Sequence, residues 1–102
     1  MKIVNLTGHE LTELNTGTFI PPSGRVRAVP ATVKTSTVAG IPIYKSTFPE
    51  IEGLPPREEG TIYVVSSLAL NAVPAHRTDV VAPGNVKKVD GVVVGCYGLK
   101  AK

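Results

Sequence analysis

The chain predicts a mainly β fold: a small, mostly antiparallel, partly open barrel or sandwich with one short helix after its central strand. Three observations carry this expectation. Nine prolines and ten glycines among 102 residues cut the chain into short pieces, which suits strands and turns and argues against long helices. Several stretches alternate polar and apolar residues with period two, the signature of a strand with one wet face. Aromatic residues are only 5% of a chain that is 42% hydrophobic, so the core must be built from Val, Ile, Leu and Ala, a set whose β-branched members favour strands. A single domain over residues 1–102 is near the usual domain size and can hold one core.

Taken in order, Lys2-Ile3-Val4-Asn5-Leu6 reads as a first strand and Thr7-Gly8-His9 as a turn. Glu10–Leu14 fits a strand or a single helical turn, and the turn residues Asn15-Thr16-Gly17 favour a hairpin to Thr18-Phe19-Ile20. Pro21-Pro22-Ser23-Gly24 forces a reversal. Arg25–Val29 alternates, as does Ala31–Val38; Ala39-Gly40 breaks the second run, and Ile41-Pro42-Ile43-Tyr44 begins again, with Pro42 placing it at an edge. Residues 46–60 read as a long connection stiffened by Pro49, Pro55 and Pro56 and pinned to the core by Phe48, Ile51 and Leu54.

The central strand is Thr61–Val65. Ser66 or Ser67 then caps a helix through its hydroxyl, with Leu68–Ala72 and Ala69–Val73 at four-residue spacing giving an apolar face. Pro74 ends that helix after about two turns. Asp79–Ala82 is a further extended piece closed by Pro83-Gly84. The clearest local signal is Val86–Val89, Asp90-Gly91, Val92–Val94, a hairpin whose two-residue turn wants positive φ at both centres. Gly95 then marks a bulge or a crowded bend.

The net charge is +3, and no basic stripe with interleaved aromatics develops, so nucleic acid is a poor partner. One cysteine, Cys96, excludes an internal disulfide and a multi-cysteine metal site, and a small buried strand residue is its ordinary fate. The N-terminus lacks a secretory pattern, and no apolar run is long enough to span a bilayer. A cytoplasmic protein with no membrane partner and no cofactor is expected.

The start of the predicted helix gathers the reactive side chains. Ser66 and Ser67 there are placed to cradle a phosphate or carboxylate, and Arg77 to add a bidentate contact. The same serines also read as plain caps, and Arg77 with Asp79 as a surface ion pair. A P-loop is absent. His9 and His76 form no recognised ligand pair with Cys96 or Asp79, and a Ser66–His76–Asp79 triad lacks the nucleophile elbow. Arg25 and Arg27 share one face of an alternating strand, which reads as a solvated face or as a basic patch for an anionic partner.

The order of short motifs carries a resemblance: Asn5-Leu6-Thr7-x-His9, Pro21-Pro22-Ser23-Gly24, Gly40-Ile41-Pro42, Glu52-Gly53-Leu54-Pro55, Tyr63-Val64-Val65-Ser66, Arg77-x-Asp79-x-x-x-Pro83-Gly84 and Gly95-Cys96. Over nearly its whole length the chain resembles a family of small uncharacterised proteins of bacteriophages, prophages and bacterial genomes. That family opens Asn-Leu-Thr-Pro-His; Gly8 stands here in place of the proline, so a looser turn is expected. The resemblance implies a phage-related, cytoplasmic, β-rich accessory protein.

The expected function is therefore a non-catalytic binding protein for a small anionic or nucleotide-like ligand. Asn5, His9, Ser66, Ser67, Arg77 and Asp79 are its candidate ligand-binding residues. A structural or protein-interaction module, such as a virion or host-takeover accessory, is the first rival, and a small hydrolase using His9 or His76 the second. Strand edges in so small a sheet need covering, which suggests a homodimer or a larger ring.

Overall fold

The computed structural model describes residues 1–102, apart from the side chains of Phe48 and Pro49. Its elements are β1 (Lys2–Asn5), β2 (Leu11–Glu13), β3 (Thr18–Ile20), β4 (Arg27–Val38), β5 (Ile41–Glu52), β6 (Thr61–Val64), α1 (Ser67–Ala72), β7 (Val80–Val89) and β8 (Val92–Ala101). Six strands make one sheet in the order β1-β6-β7-β8-β2-β3, while β4 and β5 pair only with each other.

The six-stranded sheet curls into a nearly closed barrel. The chain leaving β3 turns back along the end of β1 and closes the seam: Ser23 N donates to Asn5 O at 2.8 Å and Val26 N to Leu6 O at 2.9 Å. The fold is thus mainly β with one short helix, as the turn-rich sequence predicts. Antiparallel ladders carry most of the paired residues, but β1–β6, β6–β7 and β2–β8 run parallel. Parallel neighbours need long crossovers, and between β1 and β6 lie all of β2 to β5. Alternation within a strand carries no information about such a distant partner.

The period-two rule sorts the core. Along the chain at β6, Tyr63 and Val65 enter one cluster with Leu6, Val26, Val80, Ala82 and the helix residues Ala69, Leu70 and Val73. Val64, pointing the other way, joins Leu11, Ile20 and Cys96. Burying each such Val or Leu side chain contributes about 1.5–3 kcal/mol. Helix α1 is too short to stand alone and survives through this packing and its caps. Ser66 Oγ accepts from Ala69 N at 3.2 Å, and Lys102 Nζ donates to Val73 O at 2.5 Å at the other end. The apolar face differs from the expected one in one respect: Leu68 is exposed and Leu70 is buried instead.

Three boundaries move. Strand β4 continues through Pro30, where the register shifts between Val29 and Ala31; a bulge tolerates the missing N–H. Strand β5 continues to Glu52, so the long connection read over 46–60 begins only at Gly53. Ile51 and Leu54 do pack on the core, whereas Phe48 lies outside the described side chains. Strand β7 runs on through Pro83-Gly84 to Val89. The turns of the two long hairpins have positive φ at their two centres, Asp90 51° with Gly91 78° and Ala39 49° with Gly40 78°. Gly95 is crowded as expected: a β-carbon there would lie 2.8 Å from the Thr12 carbonyl.

Candidate functional site

Because β1 and β6 are parallel and Asn5 is level with Val64, the segments that follow them leave the sheet side by side. This brings Thr7 and His9 against Ser66 and Ser67 at the C-terminal ends of the strands. These residues line a hollow of about 210 Å³ floored by Leu11, Val86 and Cys96. A second hollow of about 220 Å³ shares Thr7, His9 and Ser66 and adds Arg25, Arg27 and Leu68. Arg25 reaches the spot by bridging Thr7, and its side chain lies over Gly8, whose φ is 87°. Proline, fixed near −65°, cannot adopt that angle, so this turn differs in kind from an Asn-Leu-Thr-Pro-His turn.

Asn5 lies beneath the hollow rather than in it. It is fully buried and all its hydrogen-bonding capacity is engaged. Its Nδ2 donates to His9 O at 2.8 Å and Ile20 O at 2.9 Å. Its Oδ1 accepts from Thr7 N at 3.0 Å and from the Thr7 hydroxyl at 2.6 Å. One side chain therefore ties the end of β1 to the end of β3 and to the His9 turn, which is the work of a seam rather than of a ligand contact.

Arg77 and Asp79 do not join His9 and the serines, contrary to the expectation of a common pocket. Strand β7 is parallel to β6 with Val80 level with Tyr63, so the residues entering β7 sit at the opposite end of the strands from Ser66, roughly 13 Å away along the strand direction. There Arg77 grips Asp79 through Nε–Oδ1 at 2.9 Å and Nη2–Oδ2 at 3.0 Å, and donates to Pro55 O at 3.0 Å. Neither side chain is more than 13% exposed. The hydrogen bond from Arg77 holds the Asp79 carboxyl below the usual carboxylate range despite its burial. The pair clamps the 53–60 connection to the barrel, helped by Tyr63 Oη donating to Pro56 O at 3.2 Å and Arg57 Nη2 to Thr78 Oγ1 at 3.0 Å.

The chemistry open to this arrangement is narrow. Ser66 Oγ is engaged in the helix cap, and His76 and Asp79 lie at the far end, so no Ser66–His76–Asp79 triad is assembled. Cys96 is buried and burial pushes its thiol up, away from the reactive thiolate. Among the described residues no group of three His, Cys, Asp or Glu side chains is placed to hold a metal ion, and every buried side-chain nitrogen and oxygen has a hydrogen-bond partner. Among them, too, no helix is long and apolar enough to cross a membrane.

No family model, curated protein or solved structure matches the chain.

The residue pattern gives no sign of a second surface, on the β4–β5 ribbon. Side chains alternate along β5, so Ile41, Ile43 and Lys45 share a face with their cross-strand partners Val38, Ser36 and Val33. The other face carries Pro42, Tyr44 and Ser46 with Thr37, Lys34 and Thr32. The first face is an apolar stripe, yet Val33, Val38, Ile41 and Ile43 are 43–66% exposed. Beyond its base, where α1 packs on it, the ribbon stands clear of the barrel. Ala31–Val38 was legible as alternating and Ile41–Tyr44 as a new start, but the second half of β5 read as a connection, and nothing local shows that the two strands pair only with each other.

Proposed function

We propose that the chain is a non-catalytic protein-interaction module, an accessory of the phage-related kind that its motifs resemble. One observation carries this reading: a two-stranded ribbon of 12-residue strands extends from the barrel with an uncovered apolar face. The radius of gyration is 16.4 Å, against about 13 Å for a compact domain of 100 residues, as fits a molecule from which the ribbon projects. An isolated hairpin is marginal in water, and contiguous exposed apolar residues mark interaction sites. The test is a photoreactive side chain placed in the expressing cell at Ile43 on the apolar face or at Lys34 on the polar one. A discrete adduct from Ile43 and none from Lys34 is the expected result; no adduct from either position defeats the reading.

A second reading rests on a different observation, the gathering of His9, Arg25, Arg27 and Ser66 around one hollow at the barrel mouth. Two arginines beside the Ser66 hydroxyl suit a small anion or nucleotide-like ligand. Nucleotides and simple anions that bind there raise the melting temperature, and a double substitution of Arg25 and Arg27 by Ala removes the gain. Unchanged melting with every anion counts against this site.

A further inference from the structure

We infer that the occupant of the ribbon's apolar face is a second copy of this chain, docked face to face; the inference rests on the interaction-module reading above. The chain exposes 6722 Å², whereas a compact monomer of 10.7 kDa exposes roughly 5,500 Å². The excess, roughly 1,200 Å², is shared between this ribbon and the β7–β8 hairpin, whose Val86, Val89, Val92, Val93 and Val94 are also exposed, and it is on the scale of the roughly 800 Å² that each partner buries in a standard stable interface.

The character of the face narrows the partner. Between Ala31 and Thr47 there is no acidic residue, and of the two lysines, Lys34 and Lys45, only Lys45 lies on the apolar side. A strongly charged partner would find almost nothing to pair with there, while an equally apolar β-ribbon matches it, and this chain carries one. Two ribbons stacked about 10 Å apart form a small sandwich in which Val33, Val38, Ile41 and Ile43 of each copy are covered at once. Such a contact is self-complementary and closes on itself as a two-fold dimer. It also removes the instability of a lone hairpin, which gives the ribbon a reason to be as long as it is.

Sedimentation velocity on the purified full-length chain across a wide concentration range tests this. A dimer is expected, and a paired substitution V33E/I43E weakens it by about a hundredfold, since each buried contact then meets an uncompensated charge, while K34E on the opposite face leaves it intact. Circular dichroism must show that V33E/I43E keeps its sheet. Should that variant unfold, I41C and T37C decide instead: a bifunctional maleimide links I41C into dimers and leaves T37C unlinked. A wild-type monomer at every concentration, or open-ended growth in mass, overturns the face-to-face dimer. A purified monomer whose Ile43 probe still forms a discrete adduct in the cell rejects the second copy alone, whereas absence of both signals rejects the module reading with it.

Discussion

Replacing Asn5 by alanine strands several groups at once, because the Ile20 carbonyl and the Thr7 amide lose their Asn5 partner together and the His9 carbonyl keeps only the Thr7 hydroxyl. Each unsatisfied buried group costs about 1–3 kcal/mol, so Asn5→Ala should destabilise the fold by about 2–4 kcal/mol in denaturant titration, with no change in any anion response beyond that of the fold. Glu13 is the acidic counterpart. Its carboxylate accepts from the backbone of Gly98, Asn15 and Thr16, and these bonds, that from Gly98 first, lower its pKa from 4.5 to about 2. A depressed carboxylate contributes its full stabilisation above its unfolded value and loses it as pH falls through the folded one. The melting temperature should therefore drop between pH 4.5 and about 2, and Glu13→Gln should flatten that part of the profile. The sequence grouped Asn5, His9, Ser66 and Ser67 with Arg77 and Asp79 as ligand residues; the fold gathers His9, Ser66 and Ser67 at one end of the barrel above Asn5 and holds Arg77 and Asp79 at the other. The sequence was silent on Asn5 as a seam and on Glu13 as a cap for β8, since both roles depend on residues far away in the chain.

The hairpins were legible where turn chemistry is local, and less so where proline interrupts a strand. Asp90-Gly91 adopts the positive φ pair that its residue types favour. Ala39 adopts the same backbone at φ 49° with a β-carbon that costs about 1–2 kcal/mol there, so Ala39→Gly should stabilise the chain by up to about 1 kcal/mol in thermal unfolding. Pro49 reads as stiffening a connection and Pro83 as closing a strand, yet both lie within strands, because an edge position or an unpaired side needs no N–H. The Arg77–Asp79 clamp supports a fourth expectation. Arg77→Ala leaves a carboxylate that is 6% exposed without its partner, and should cost about 3 kcal/mol in chemical denaturation. That loss should shrink as pH falls below the ordinary carboxylate value of 3.8 and through the lowered folded one, where protonation removes the stranded charge. The spacing of Arg77 and Asp79 revealed the pair; only the parallel register of β6 and β7 reveals which end of the barrel it holds.

At the scale of the molecule, composition and alternation were enough for a mainly β barrel with one short helix. Strand order was beyond them, because a parallel neighbour leaves no trace in local periodicity, and the separation of the β4–β5 ribbon from the barrel follows from that order. The same order divides assembly in time. Two long hairpins, closed by tight turns, need only neighbours in sequence and form on the scale of microseconds. The barrel must wait until Lys2 finds Thr61 and the seam at Asn5 closes, a slower search through a large loop. Pulsed hydrogen exchange during refolding should thus protect the amides of Val33 and Ile43 before those of Leu6 and Val26. The nascent chain would then pass through an interval with greasy arms already built and no body behind them, when crowding by its siblings decides between productive pairing and precipitation.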